Sequence, residues 1–269
     1  MGTEFRETRF DRPEAMIARI VLARPKQLNA YTTRLCEEMV SAIENYLRDD
    51  TLRVLVITGE GRGFCAGGDV SGADDAHGDL MKSQLSHARE MRDGMHRVIQ
   101  ALHRLDKPSI AMINGPAVAG GLALALSCDF RIAGDTARLG DTSGKFGLLP
   151  DEGGAWLFPR AMGLDRALKM SMLSEVYDAK TAQQLGLVTE VVPAAELEAR
   201  TMSFARELAA RAPLAVRLAK AMMLRAQTLT LDQSLGDAAL SVMISNPSAD
   251  VREGVKAFFE KRPPKFEGR

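Results

Sequence analysis

Apolar positions along the chain fall into two kinds of stretch. Residues 15–23, 53–59, 109–114 and 130–133 are short and almost continuously apolar, and each is bounded by turn residues. All four read as strands, and the run over 53–59, bounded by glycine, has the pattern of a strand covered on both faces. Between them the spacing changes to three and four. Leu35, Met39, Ile43 and Leu47 share one face and predict a helix that starts at a Thr32 or Thr33 cap. A long helix is predicted from about residue 80 to residue 105, stopping before Pro108. Residues 181–187 predict a short helix closed by Gly186, and residues 188–192 a short strand. From 195 to 262 the pattern predicts two or three helices, broken at Pro213 and near Asn246-Pro247. Strand alternating with helix implies parallel pairing through crossovers, hence an α/β class. The division expected is an α/β core over residues 1–195 and a helical region over 196–269.

Three glycine-bearing segments interrupt this alternation where strands end. Residues 60–69 hold four glycines in ten positions, and Gly120 and Gly121 stand where an apolar helix should begin. Glycine lets a ligand approach the backbone closely, and the first N–H groups of a helix have no partner inside it. Both segments therefore read as candidate holders of a partly negative oxygen, although glycines at such turns also serve packing. The third segment, residues 139–156, starts as loop and ends as helix. Pro150 is expected near the first turn, with Asp151 and Glu152 at the helix start. Residues 71–80 are polar and glycine-rich and read as a mobile loop.

Composition narrows the class. The 269 residues carry 35 basic and 35 acidic side chains, so the zero balance argues against a nucleic-acid footprint. The N-terminal residues lack an apolar core of the signal-peptide kind, and no run approaches the ~18 apolar residues of a membrane span. Cys36, Cys65 and Cys128 are widely spaced, show no metal-ligand spacing and read as reduced thiols in a cytoplasmic setting; Cys65 and Cys128, in apolar segments, read as small buried hydrophobes. No metal site is expected. His96 and His103, two turns apart on one helix face, read as polar or core-satisfied residues.

Taken together, several segments resemble the crotonase superfamily, the enoyl-CoA hydratase/isomerase family. They are Arg24-Pro-Lys-Gln-Leu-Asn-Ala30, Gly63-Phe-Cys-Ala-Gly-Gly-Asp69, Asn114-Gly-Pro-Ala-Val-Ala-Gly-Gly121, Cys128-Asp129, Gly147-Leu-Leu-Pro-Asp-Glu-Gly-Gly154 and Arg252-Glu-Gly-Val-Lys-Ala-Phe258. The resemblance implies a spiral of ββα units with C-terminal helices that trimerise, giving a homotrimer or a hexamer of two trimers. It implies an acyl-CoA thioester as substrate, with coenzyme A arriving as part of that substrate and no separate cofactor. Backbone N–H groups of Ala66 and Gly120 would form an oxyanion hole. Lys26, Leu28, Ala30, Ala66, Gly67 and Gly68 would border the coenzyme A moiety, and Phe258 and Lys261 would complete that site from a neighbouring subunit.

Departures from the family pattern bear on the chemistry. Where the family's hydratases carry two water-activating glutamates, this chain has Ala123 and Ser143. Asp151 matches the position of the acting carboxylate in some isomerases of the superfamily, including 3,2-enoyl-CoA isomerases and the ring-epoxide isomerase of phenylacetyl-CoA breakdown. The expectation is an acyl-CoA isomerase in which Asp151 shuttles a proton. Alternatives are a hydratase or thioester hydrolase using Asp151 or Glu152 with water, and a non-catalytic acyl-CoA-binding homologue. Asp69 is expected to brace the glycine loop, and Trp156 either walls the acyl pocket or packs.

Overall fold

The strand predicted from residue 15 does not begin the sheet. In a computed structural model, which describes residues 5–70 and 84–269, an earlier strand β1 (Thr8–Glu14) pairs antiparallel with β2 (Ile17–Leu22). Strand β1 is a polar, partly exposed strand at the edge of the sheet, with Thr8 its one buried residue. Its entry is anchored by the buried carboxylate of Glu38, which accepts from the N–H groups of Arg6, Glu7 and Thr8 at 3.0, 2.9 and 2.8 Å and from the Thr8 hydroxyl at 3.0 Å.

Within the main sheet the pairing from β2 onward is parallel, as expected. The sheet runs β1-β2, then β3 (Val54–Gly59), β4 (Ser109–Ile113), β6 (Phe130–Gly134) and β9 (Glu190–Val192). A small second sheet joins β5 (Ala117–Val118), β7 (Arg138–Gly140) and β8 (Val176–Asp178), the last two paired antiparallel. The unbroken apolar runs have a simple cause, because alternate residues face two different cores. Leu55, Ile57, Ala111 and Ile113 pack under α1 (Thr33–Arg48), α3 (Met95–His103) and α4 (Gly120–Leu126). Val54, Val56, Ile110 and Met112 meet Leu197, Met202 and Ala205 of α8 (Leu197–Ala209) on the opposite face. The first helix past residue 195 thus covers the sheet directly.

Three predicted boundaries shift. The long helix is broken into α2 (Gln84–Asp93) and α3 by Gly94, whose φ/ψ of −103°/−106° is not helical. The start predicted near residue 80 and the loop expected over 71–80 lie outside the described residues. The C-terminal part holds four helices rather than two or three: α8, α9 (Pro213–Ala226), α10 (Leu231–Ser245) and α11 (Ala249–Phe259). The unforeseen break falls before α10, where Thr230 and Gln233 form a reciprocal capping box. Finally, α5 (Gly154–Met162) starts after Gly153, so Pro150, Asp151 and Glu152 occupy the turn ahead of the helix rather than its first turn.

All three thiols are free and buried, Cys36 as well as the two expected from their apolar segments. Burial pushes the Cys65 and Cys128 thiols up to about 12, so at neutral pH they behave as small hydrophobes. Among the described residues no helix is long and apolar enough to cross a membrane.

Candidate active site

Two loops meet over the carboxyl ends of β3 and β4. One follows β3 and spans residues 60–69, and the other leads through β5 into α4. The first is pinned to residues 24–31. The Asn29 amide donates to the carbonyls of Glu60 and Gly63 at 3.0 and 2.8 Å, and Tyr31 N–H donates to the Gly67 carbonyl at 2.8 Å. Asp69 accepts from Arg24 Nη2 at 2.7 Å, and Asp69 N–H donates to the Tyr31 carbonyl at 3.0 Å. Asp69 therefore braces the loop.

The second loop is held in an unusual conformation just ahead of its helix. Ala119 has φ 50° and ψ −124°, a region costing a non-glycine residue about 1–3 kcal/mol. Its N–H is satisfied by the Gly140 carbonyl at 3.0 Å, and its own carbonyl accepts from Leu122 and Ala123. The next N–H, that of Gly120, opens α4 with the positive end of the helix behind it.

These bonds correct one expected donor. Ala66 lines the cavity that the two segments border, but its N–H donates to the Leu28 carbonyl at 3.1 Å and is already engaged. Two residues on, the N–H of Gly68 has no hydrogen-bond acceptor among the described residues, and neither does that of Gly120. The two segments are in contact. A β-carbon on Gly67, whose φ is +93°, would lie 3.1 Å from Ala119 Cβ and 3.6 Å from Gly120 N. Glycine at 67 is what permits both that backbone angle and that approach.

Both donor segments border a cavity of ≈ 340 Å³ whose wall includes Ala30, Tyr31, Gly68, Ser143, Asp151 and Glu152. Carboxylates reach it from Asp69, already paired with Arg24, and from the 151–152 turn. The two acids of that turn are not placed alike. Asp151 is half-buried, and its main-chain carbonyl accepts from His96 Nε2 at 2.8 Å, so α3 clamps the turn. Glu152 is only 6% exposed and reaches the start of α4. A β-carbon on Gly120 would stand 2.6 Å from Glu152 Oε1 and 2.6 Å from Tyr31 Cε1. Tyr31, 3% exposed, donates its hydroxyl to Glu152 Oε1 at 2.8 Å.

Burial raises the Glu152 carboxyl to about 7, with the Tyr31 hydroxyl opposing the rise and Asp151 adding to it. The same burial, reinforced by Glu152, holds the Tyr31 phenol well above its usual range, so it stays a donor. A second cavity of ≈ 490 Å³ lies against the other side of the turn, lined by His96, His103, Trp156, Asp151 and Glu152 among others. Trp156 belongs to this second cavity, with Arg160 stacked 3.8 Å above its ring and His103 meeting it edge-on.

A family model described as enoyl-CoA hydratase/isomerase matches residues 12–269. The chain belongs to that family. Among relatives of this family, 1,2-epoxyphenylacetyl-CoA isomerase of Escherichia coli K12 is 35% identical over 256 residues, covering 95% of this chain and 97% of that protein. The 2,3-dehydroadipyl-CoA hydratase of the same organism is 33% identical over 250 residues, covering 93% and 94%. Enoyl-CoA hydratase from Bacillus anthracis superposes with a TM-score of 0.92 at 30% identity, covering 98% of this chain and all (100%) of that one. The crotonase-type α/β fold expected from the motifs is thereby established.

The remaining expected positions are scattered. Ala30 is buried in the cavity wall, whereas Lys26 is exposed on the 3₁₀ turn Pro25–Gln27. Leu28 serves the site through its carbonyl, with φ 49°. Phe258 is 78% exposed at the end of α11, and Lys261 follows it with φ 53°; neither lines the cavity of the single chain. Ala123 is buried inside α4, and Ser143 stands in the cavity wall. Sequence reading passed over Gly68 as a donor, Tyr31 altogether, and the depth of Glu152. The one available signal was position, because Tyr31 directly follows the Asn29-Ala30 motif and Glu152 directly follows Asp151.

Proposed function

We propose that this chain is an acyl-CoA isomerase. The thioester oxygen accepts from the N–H groups of Gly68 and Gly120, and the Asp151 carboxylate takes a proton from the adjacent carbon. One observation carries the reading: Gly68, whose N–H has no acceptor among the described residues, lines a cavity with Asp151 and Glu152, and Gly120, with a second such N–H, directly follows Ala119 of the cavity wall and lies against Glu152, while positions 123 and 143 offer an alanine and a serine. Donors fixed for a developing enolate oxygen lower the barrier, and loss of one costs about 10²–10³ in rate. A carboxylate beside an acidified C–H moves a proton without an activated water. Coenzyme A enters as part of the substrate, and exposed Lys26 is suited to its phosphates.

A hydratase is the second reading. It is favoured by the adjacency of Asp151 and Glu152 at one wall, which could hold a water between them. A panel of acyl-CoA thioesters followed by mass separates the two, since isomerisation leaves mass unchanged and hydration adds one water. Loss of turnover in Asp151→Asn supports the assigned base, and undiminished turnover rejects it. The assembly proposed is a trimer or a pair of trimers, in keeping with exposed Leu231, Leu235, Leu240, Met243 and Phe259 on α10 and α11.

A further inference from the structure

We infer that Glu152 is a second proton carrier of this site, held by Tyr31, and that it protonates the carbon two positions along from the one Asp151 deprotonates. The inference rests on the isomerase reading above and goes beyond it, because that reading needs only one carboxylate.

Geometry supports it at three points. Glu152 Oε1 is fixed by the Tyr31 hydroxyl at 2.8 Å, which leaves Oε2 to carry a proton. Its head lies where a side chain on Gly120 would be, beside the donor that faces the thioester oxygen. Asp151 is its neighbour in the same turn and lines the same cavity, so a proton can pass between the two. The groups facing it among the described residues are few. They are Tyr31 with Cys36 behind it, Cys65 from the glycine loop, Asp69 across the cavity, Asp151 in its own turn, and His96, His103 and Arg104 from α3. Burial keeps Glu152 protonated up to about neutral pH.

For a 3-enoyl thioester the steps balance. Asp151 removes a proton from the α-carbon, and the C–H electron pair flows toward the thioester oxygen as a dienolate. That pair returns to form the α,β double bond. The former β,γ pair takes the proton of Glu152 at the γ-carbon, and Glu152 becomes a carboxylate. The proton on Asp151 then passes to Glu152 and restores the resting state.

The test uses the full-length protein and trans-3-hexenoyl-CoA deuterated at the α-carbon, in ordinary water. Wild type should form the 2-enoyl product with the deuterium lost from the molecule that carried it. Glu152→Gln should lower kcat about 10²-fold, remove the pH limb near neutrality, and shift the remaining product toward deuterium retained at the γ-carbon. Glu152→Asp should recover part of the rate and the limb. Infrared spectra of the resting enzyme, which need no substrate, should show a protonated-carboxyl band that titrates near neutral pH and disappears in Glu152→Gln. Unchanged rate, limb and label pattern in Glu152→Gln, beside an inactive Asp151→Asn, would overturn the inference and leave the Asp151 role standing. Full activity in Asp151→Asn rejects the parent reading instead. Inertness of wild type toward this probe counts against both, and absence of the infrared band overturns the resting proton on Glu152 by itself.

Discussion

Tyr31 and Glu152, 121 positions apart in sequence, are joined by a 2.8 Å hydrogen bond from phenol to carboxyl. The bond closes the cavity between the segment that precedes α1 and the turn that precedes α5, with Gly120 between them. It also opposes the upward shift that burial imposes on Glu152. Tyr31→Phe should therefore raise the neutral-pH titration of Glu152 still further. Infrared or NMR titration of the carboxyl in both proteins measures it, and an unmoved or lowered midpoint contradicts the assignment.

Glu152 also links stability to pH. Its folded-state value of about 7 exceeds the ordinary 4.5, so the folded chain binds the extra proton. The stability this contributes is fully present below about 4.5, declines as pH rises toward 7, and is absent above. A shift of this size corresponds to about 3 kcal/mol. Chemical denaturation of wild type and Glu152→Gln across this window should show a smaller decline in the variant. Parallel curves would mean that Glu152 ionises without a folding penalty.

Gly120→Ala should abolish activity and lower stability together. The added carbon would stand 2.6 Å from both Glu152 Oε1 and Tyr31 Cε1. One of them must move, and the N–H at 120 turns with the distorted helix start. A loss of at least about 10²-fold in kcat/KM is expected. Adding Glu152→Ala relieves one of the two contacts, so the double variant should recover part of the thermal stability but not the activity.

Glu38→Ala tests the edge strand. Removing the carboxylate leaves three backbone N–H groups and the Thr8 hydroxyl without their acceptor. Hydrogen bonds to a charged group are worth about 1.5–3 kcal/mol each, and part of the loss is regained through water at this partly exposed edge. A destabilisation of about 3 kcal/mol is expected by urea titration. Glu38 does not line the cavity, so kcat on an accepted thioester should stay near wild type under folded conditions.

The sequence by itself determined the class of this protein and the segments that make its site. The unbroken apolar run over 53–59 required a strand covered on both faces, and Val54, Val56, Leu55 and Ile57 do divide between two cores. Glycine turns at strand ends located the backbone donors to within two residues. These features are local, since each depends on spacing within a dozen positions. Which N–H groups remain available was decided only in three dimensions. The Ala66 N–H is engaged by the Leu28 carbonyl, a partner from a separate segment, and that leaves Gly68 in the cavity wall. The difference between Asp151 and Glu152 was decided the same way. Neighbouring carboxylates are chemically alike in sequence, but one is clamped by His96 through its carbonyl while the other is buried against Tyr31 and Gly120. Burial and long-range hydrogen bonding set the proton affinity of a carboxyl, and neither exists until distant parts of the chain are packed together.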